Sequence, residues 1–149
     1  MEFMHKEIFK SYDIRGIYEE QLTGEDAYTI GRALAKMMEA RRVVLARDAR
    51  LGSPALHKGM IRALTEQGVD VDDLGLVPIE VMYYVVGKYE EKYDGGIMIT
   101  ASHNPKEYNG FKMVLKDMQW IRGVDLKDDV LNLPEEIVKD KDKGKVEEV

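Results

Sequence analysis

The chain has 149 residues, 44% hydrophobic and 34% charged, with a net charge of −6, the composition of a soluble globular domain. The acidic balance excludes a sequence-independent grip on nucleic acid, which needs a basic surface, but leaves room for a small anionic ligand held by a few local Arg and Lys. With no cysteine, disulfides, thiolate metal sites and cysteine nucleophiles are excluded; neither the start "MEFMHKEIFK" nor any later run has the apolar length of a signal peptide or a membrane span.

In chain order, "TGEDAYTIGRALAKMMEA" places Ile30, Ala33, Leu34, Met37 and Met38 on one helical face, with Thr23 as N-cap and Asp26 as its capping-box acid. "RVVLAR" is a short apolar strand. Ser53-Pro54 reads as a helix start, Ser as cap and Pro first in the helix, with Leu56, Gly59, Met60, Ala63 and Leu64 inward and Gly68 as the stop. A second strand covers Val69 to Leu74. Pro78 opens a third helix that buries Ile79, Met82, Tyr83 and Val86, and Gly95-Gly96 lead into "IMITA", a strand buried on both faces. "FKMVLK" is a fourth strand, paired antiparallel with its predecessor. Methionines on helix faces and Trp120 read as packing residues. From about Glu135 the pattern gives a short helix, a solvated "KDKDKGK" turn and an extended "VEEV" exit. Alternating strands and amphipathic helices are the signature of βαβ units in an α/β domain.

The densest polar stretch is "ITASHNPKEYNGFK", Ile99 to Lys112. In an open α/β sheet ligands gather beyond the carboxyl ends of the strands, and Ser102 falls there. Pro105 biases Asn104 toward extended backbone, and Asn109-Gly110 reads as a turn before the next strand. Two readings stand side by side: a polar turn in which Ser102, His103 and Asn104 bond locally, or a reactive serine. A Ser-His hydrolase is a poor fit, because adjacent side chains on extended backbone diverge and no G-x-S-x-G elbow is present. A reactive Ser102 would instead carry a group, and a phosphoryl group would draw cationic partners such as Lys112 across the loop or Arg15, which sits in a loop-like "SYDIRGIY".

"TASHNP" followed by "YNGFK", with "IFKSYDIRG" near the N-terminus, resembles the α-D-phosphohexomutase superfamily, and within it the phosphomannomutase/phosphoglucomutase branch. "GLVPIEVMYY" is similar to the family segment between these motifs. The resemblance covers nearly the whole chain and is strongest at 8–18, 45–54, 74–84 and 97–115. It implies a three-layer α/β/α sandwich with a mixed, mostly parallel sheet. It also implies that residues 1–149 are the N-terminal, serine-bearing domain, with about 140–149 a linker toward a second domain. Ser102 would be a phosphoserine that passes its phosphoryl group to a hexose monophosphate through a 1,6-bisphosphate, interconverting 1-phospho and 6-phospho sugars of mannose or glucose. Mg²⁺ would sit on the Ser102 phosphate, its other ligands coming from the second domain. His103 would flank the phosphoserine, Lys112 would assist proton transfer or neutralise charge, Arg15 would contact the transferring phosphate, and Tyr12 would face the sugar. The bland alternatives are that His103 only holds the loop and that Tyr12 only packs.

The pattern departs from the family in "ARDARLGSP", where Ala46 replaces a Gly and the order is Gly52-Ser53. Asp48 and Arg50 are therefore expected to form a structural ion-pairing or capping cluster, and His57 to lie on the surface. Nothing from Trp120 to Val149 resembles the family's D-x-D-x-D-R metal loop. The expectation is thus one domain of a cytoplasmic isomerase, inactive alone, whose partners are the hexose phosphate and the remaining domains, with no nucleic acid or membrane involved. The alternatives are a free-standing phosphosugar-binding or regulatory module and, more remotely, a phosphatase with Ser102 as acceptor.

Overall fold

The computed structural model describes residues 4–133 and 143–149. A 3-10 turn, Lys6–Ile8, precedes strands β1 (Ile14–Ile17), β2 (Arg42–Arg47), β3 (Asp70–Leu76), β4 (Gly95–Ile99), β5 (Tyr108–Leu115), β6 (Trp120–Ile121) and β7 (Val146–Glu148). The helices are α1 (Gly24–Met37), α2 (Ser53–Glu66), α3 (Ile79–Lys88) and α4 (Gly123–Leu131). The strands form one seven-stranded sheet in the order β1-β5-β4-β2-β3-β7, with β6 also on β5. It is mixed: β2 runs parallel to β3 and β4, β3 parallel to β7, and β5 runs against β1, β4 and β6.

Strand alternation divides the core. Val43, Leu45, Ile97, Ile99, Phe111 and Met113 point to one face, where α1, α2 and α4 bring Ile30, Leu34, Leu56, Met60 and Leu126. Val44, Ala46, Met98 and Val114 point to the other and meet Met82 and Val86 of α3. The result is a three-layer α/β/α sandwich, and every residue of β4 is buried because both its faces are covered. Helices α1 and α2 approach closely at Gly59, where a Cβ would lie 2.1 Å from the Gly24 carbonyl oxygen.

The capping box at Thr23 and Asp26 forms as expected. Other local expectations shift. The cap of α2 is Gly52, and Ser53 is already helical, because its hydroxyl is taken up by Asp48 at 2.8 Å. Arg15 lies on β1 and not in a loop, and Asn109-Gly110 is part of β5 and not a turn, the two segments pairing Arg15 with Gly110 and Gly16 with Asn109. A local Asn-Gly turn signal loses here to long-range ladder hydrogen bonds. His57, expected on the surface, is half-buried, its Nε2 2.8 Å from Asp73 Oδ2. Trp120 does pack, edge-on to Tyr83 with ring centroids 4.9 Å apart, yet stays 46% exposed. "VEEV" is extended, as expected, and Val146–Glu148 lies beside β3. Most of the expected late helix and part of the "KDKDKGK" turn fall outside the described residues. Among the described residues no helix is long and apolar enough to cross a membrane.

Candidate active site

Ser102 follows β4 at the rim formed by the carboxyl ends of the parallel strands. Its backbone is left-handed, with φ of +52°, a region that a residue with a Cβ enters only when its surroundings hold it there. Three hydrogen bonds shape the loop from within. Ser102 N–H donates to Thr100 Oγ1 at 3.0 Å. Asn104 N–H donates to the Ala101 carbonyl and Tyr108 N–H to the Pro105 carbonyl, each at 3.0 Å. The loop exposes Ser102 and His103.

The face of β1 and β5 turned toward α3 supplies the charges. Arg15 on β1 donates from Nη2 to Ser102 Oγ at 3.4 Å and from Nη1 to Asn104 Oδ1. Its Nε donates to both carboxylate oxygens of Asp13, at 3.1 and 3.0 Å. The Tyr12 ring lies under the same guanidinium, 5.1 Å from its carbon, and Tyr12 is 54% exposed. Lys112 on β5 reaches Asp13 Oδ2 at 3.5 Å from the other side, its Nζ also 5.9 Å from the Trp120 ring centroid.

Asp13 is the hub that holds both cations. It is 1% exposed, and burial pushes its carboxyl above the usual range even though the charges and hydrogen bonds of Arg15 and Lys112 pull the other way. Tyr83, on the wall beside it, is pushed up to about 12 by burial, reinforced by the charges of Glu80 and Asp13.

On the opposite side of the loop stands Arg50. All five of its N–H donors are engaged: Nε on Asp48 Oδ2 at 3.3 Å, Nη1 on the Pro105 and Tyr108 carbonyls at 2.7 and 3.0 Å, and Nη2 on the Ser102 and Asn104 carbonyls at 2.8 and 2.9 Å. Asp48 is fastened in turn by Ser53 Oγ, which accepts from Nδ2 of the buried Asn109 at 3.0 Å. Asp48 and Arg50 do form the expected ion pair, but Arg50 also grips the serine loop, which the departure in "ARDARLGSP" argued against.

The structure therefore brings Ser102, Arg15 and Tyr12 together and sets Lys112 one carboxylate away. His103 has no hydrogen-bond partner among the described residues, so no Ser-His dyad forms. Sequence reasoning missed Asp13, Asn104 as an Arg15 partner, and the reach of Arg50. The one available signal for Asp13 was its place beside Ile14, which the apolar side of β1 buries completely. Among the described residues no group of three or more His, Cys, Asp or Glu could hold a metal ion. The group that meets Ser102 Oγ is the Arg15 guanidinium, a cationic donor fitted to an anion on the serine and not to a divalent cation.

Residues 6–143 match the family described as phosphoglucomutase/phosphomannomutase, alpha/beta/alpha domain I. A phosphomannomutase/phosphoglucomutase of Pseudomonas aeruginosa is 47% identical over 111 residues, 72% of this chain and 24% of that protein. A phosphomannomutase of Klebsiella pneumoniae is 41% identical over 128 residues, 86% of this chain and 80% of that protein. A solved phosphoglucomutase/phosphomannomutase family protein of Burkholderia thailandensis superposes with a TM-score of 0.84 at 34% identity, over 98% of this chain and 33% of that one. The chain thus spans about a quarter of the length of the Pseudomonas relative. On the sequence match, the shared α/β/α architecture and the structural superposition, the chain belongs to the phosphoglucomutase/phosphomannomutase family and carries its domain I.

Proposed function

We propose that this chain is the serine-bearing part of a phosphohexomutase, with Ser102 the residue that carries the phosphoryl group. The carrying observation is that Ser102 Oγ faces a guanidinium anchored by a buried carboxylate, so positive charge is fixed where a phosphate on the serine would place its oxygens. In the transfer, a hydroxyl oxygen of a hexose monophosphate bonds to phosphorus as the Oγ–phosphorus bond breaks. The hydroxyl's proton leaves to base or solvent, and Ser102 Oγ returns to a hydroxyl by taking one up. Arg15 stabilises charge growing on Oγ, and Lys112 lies in reach of the same region to neutralise charge or assist the proton. Tyr12 offers an exposed ring to the sugar, and His103 borders the entrance. Return of the other phosphate of the 1,6-bisphosphate to Ser102 completes the interconversion.

Mg²⁺ on the Ser102 phosphate belongs to this proposal, its other ligands lying outside the described residues; when bound it would supply positive charge to the transferring group. The other domains of such an enzyme, mannose and glucose phosphates as substrates, a cytoplasmic setting and a chain that alone accepts the phosphoryl group but does not complete the interconversion belong to the proposal as well. The test is incubation with a hexose 1,6-bisphosphate and Mg²⁺, read by intact mass. Wild type is expected to gain one phosphoryl group and Ser102→Ala none; equal uptake by the two would refute Ser102 as carrier. A second reading is a phosphosugar-binding module without turnover, for which the cations Arg15 and Lys112 near Ser102 would serve to hold a sugar phosphate. It predicts calorimetric binding of hexose phosphate with no phosphoryl uptake.

A further inference from the structure

We infer that Arg50 is a positioning residue that holds Ser102 in its left-handed conformation and thereby aims Oγ at Arg15, an assignment that rests on the reading of Ser102 as the phosphoryl carrier. Four of its five donors go to main-chain carbonyls of one short segment, those of Ser102, Asn104, Pro105 and Tyr108. Those carbonyls converge on a single planar fork, and the Ser102 carbonyl takes its direction from the same φ of +52° that sets the direction of Oγ. Relaxation of Ser102 to negative φ would swing that carbonyl out of the fork.

The clamp has a rigid base. The Asp48 carboxylate orients Arg50 through Nε and also accepts the Arg50 backbone N–H at 3.1 Å. Asp48 N–H is held by the Ile99 carbonyl of β4 at 3.0 Å, so the clamp is mounted on the strand that carries the serine. The Arg50 side chain is 14% exposed, which removes water as a competitor for most of its donors. A lysine has three donors on one point charge and cannot reproduce a fork that serves four carbonyls. Arg15 and Arg50 thus divide the work: Arg15 meets the side chain of Ser102, and Arg50 meets its backbone.

The experiment compares wild type with Arg50→Lys and Arg50→Met by amide hydrogen exchange, thermal unfolding and phosphoryl uptake from a hexose 1,6-bisphosphate. The loop amides of Ser102, Asn104 and Tyr108 are the reporters, and the Thr100 amide, bonded to the Gly110 carbonyl at 2.9 Å, is the control in the adjoining ladder. Expected is a rise in exchange at the three reporters of roughly tenfold or more in Arg50→Met, less in Arg50→Lys, with the control unchanged. Uptake at saturating donor is expected to fall by a similar factor while the half-saturating donor concentration stays within about twofold, since a rarer competent loop slows transfer without altering donor contacts. Unchanged exchange at the reporters, or a rise shared equally by the control, would overturn the assignment. Should wild type take up no phosphoryl group while the localised exchange pattern appears, the clamp would stand and the carrier reading would fail.

Discussion

Gly110→Ala should unseat β1 from the sheet and disarm the site in one step. A Cβ at position 110 would lie 1.9 Å from the Ile14 carbonyl oxygen, 2.9 Å from the Ile14 carbonyl carbon and 3.0 Å from Arg15 Cα, all of them backbone atoms that no rotamer change can move. Restoring the 3.4 Å of an ordinary contact requires β1 to retreat by about 1.5 Å. Overpacking of this kind costs about 1–3 kcal/mol, and each weakened ladder hydrogen bond between β1 and β5 adds about 1 kcal/mol. A loss of about 3–4 kcal/mol is expected, a large share of the 5–15 kcal/mol typical of a domain. With a urea m-value of about 2 kcal/mol/M, the unfolding midpoint should fall by about 1.5–2 M. Arg15 rides on β1, so its reach to Ser102 Oγ, already 3.4 Å, should be lost and phosphoryl uptake with it. Gly87→Ala is the control: its Cβ would meet nothing closer than Met118 Sδ at 3.6 Å, and that variant should be neutral or stabilised by up to about 1 kcal/mol. A Gly110→Ala midpoint within about 0.5 M of wild type would refute the reasoning.

Two buried carboxylates should respond to pH in opposite directions. Asp13 has its folded pKa raised by burial against the pull of Arg15 and Lys112, so the folded state binds more protons. The stability of wild type relative to Asp13→Asn should therefore decline as pH rises from about 3.9 through the raised folded value and then level off, as read by urea unfolding across pH; a rise over that interval would contradict the assignment. Burial would raise Asp72 too, but hydrogen bonds from Arg42 and Tyr93 and the charges of Arg42 and Lys92 carry it below the usual range. Wild type should exceed Asp72→Asn in stability at neutral pH, with the advantage declining as pH falls below about 3.9 through the depressed folded value. A difference that does not change between neutral pH and pH of about 2 would count against it.

What was legible in the sequence was what short-range pattern encodes. The Thr23 capping box, the helix opened by Pro78 and the doubly buried strand ending before Ser102 each announce themselves within a few residues. Phe111 to Leu115 could likewise be read as a strand. Pairing across the chain could not. "YDIRG" looks like a loop because Asp13 and Arg15 are charged, yet each satisfies the other, and β5 supplies the ladder that makes the segment a strand. Asn109-Gly110 carries the composition of a turn, but the missing Cβ serves instead to admit the β1 backbone. Arg50 could be assigned to Asp48 from proximity, whereas its four carbonyl partners lie more than fifty residues further on. The three exposed residues of β7 carry no burial pattern to mark them as a strand.

The left-handed backbone at position 102 also narrows which hydroxyl amino acid the site can use. Threonine offers the same oxygen, but a β-branched side chain at positive φ is a marked steric outlier. If Ser102 carries the phosphoryl group as proposed, the choice of serine over threonine is imposed by backbone conformation before any difference in reactivity between the two alcohols comes into play.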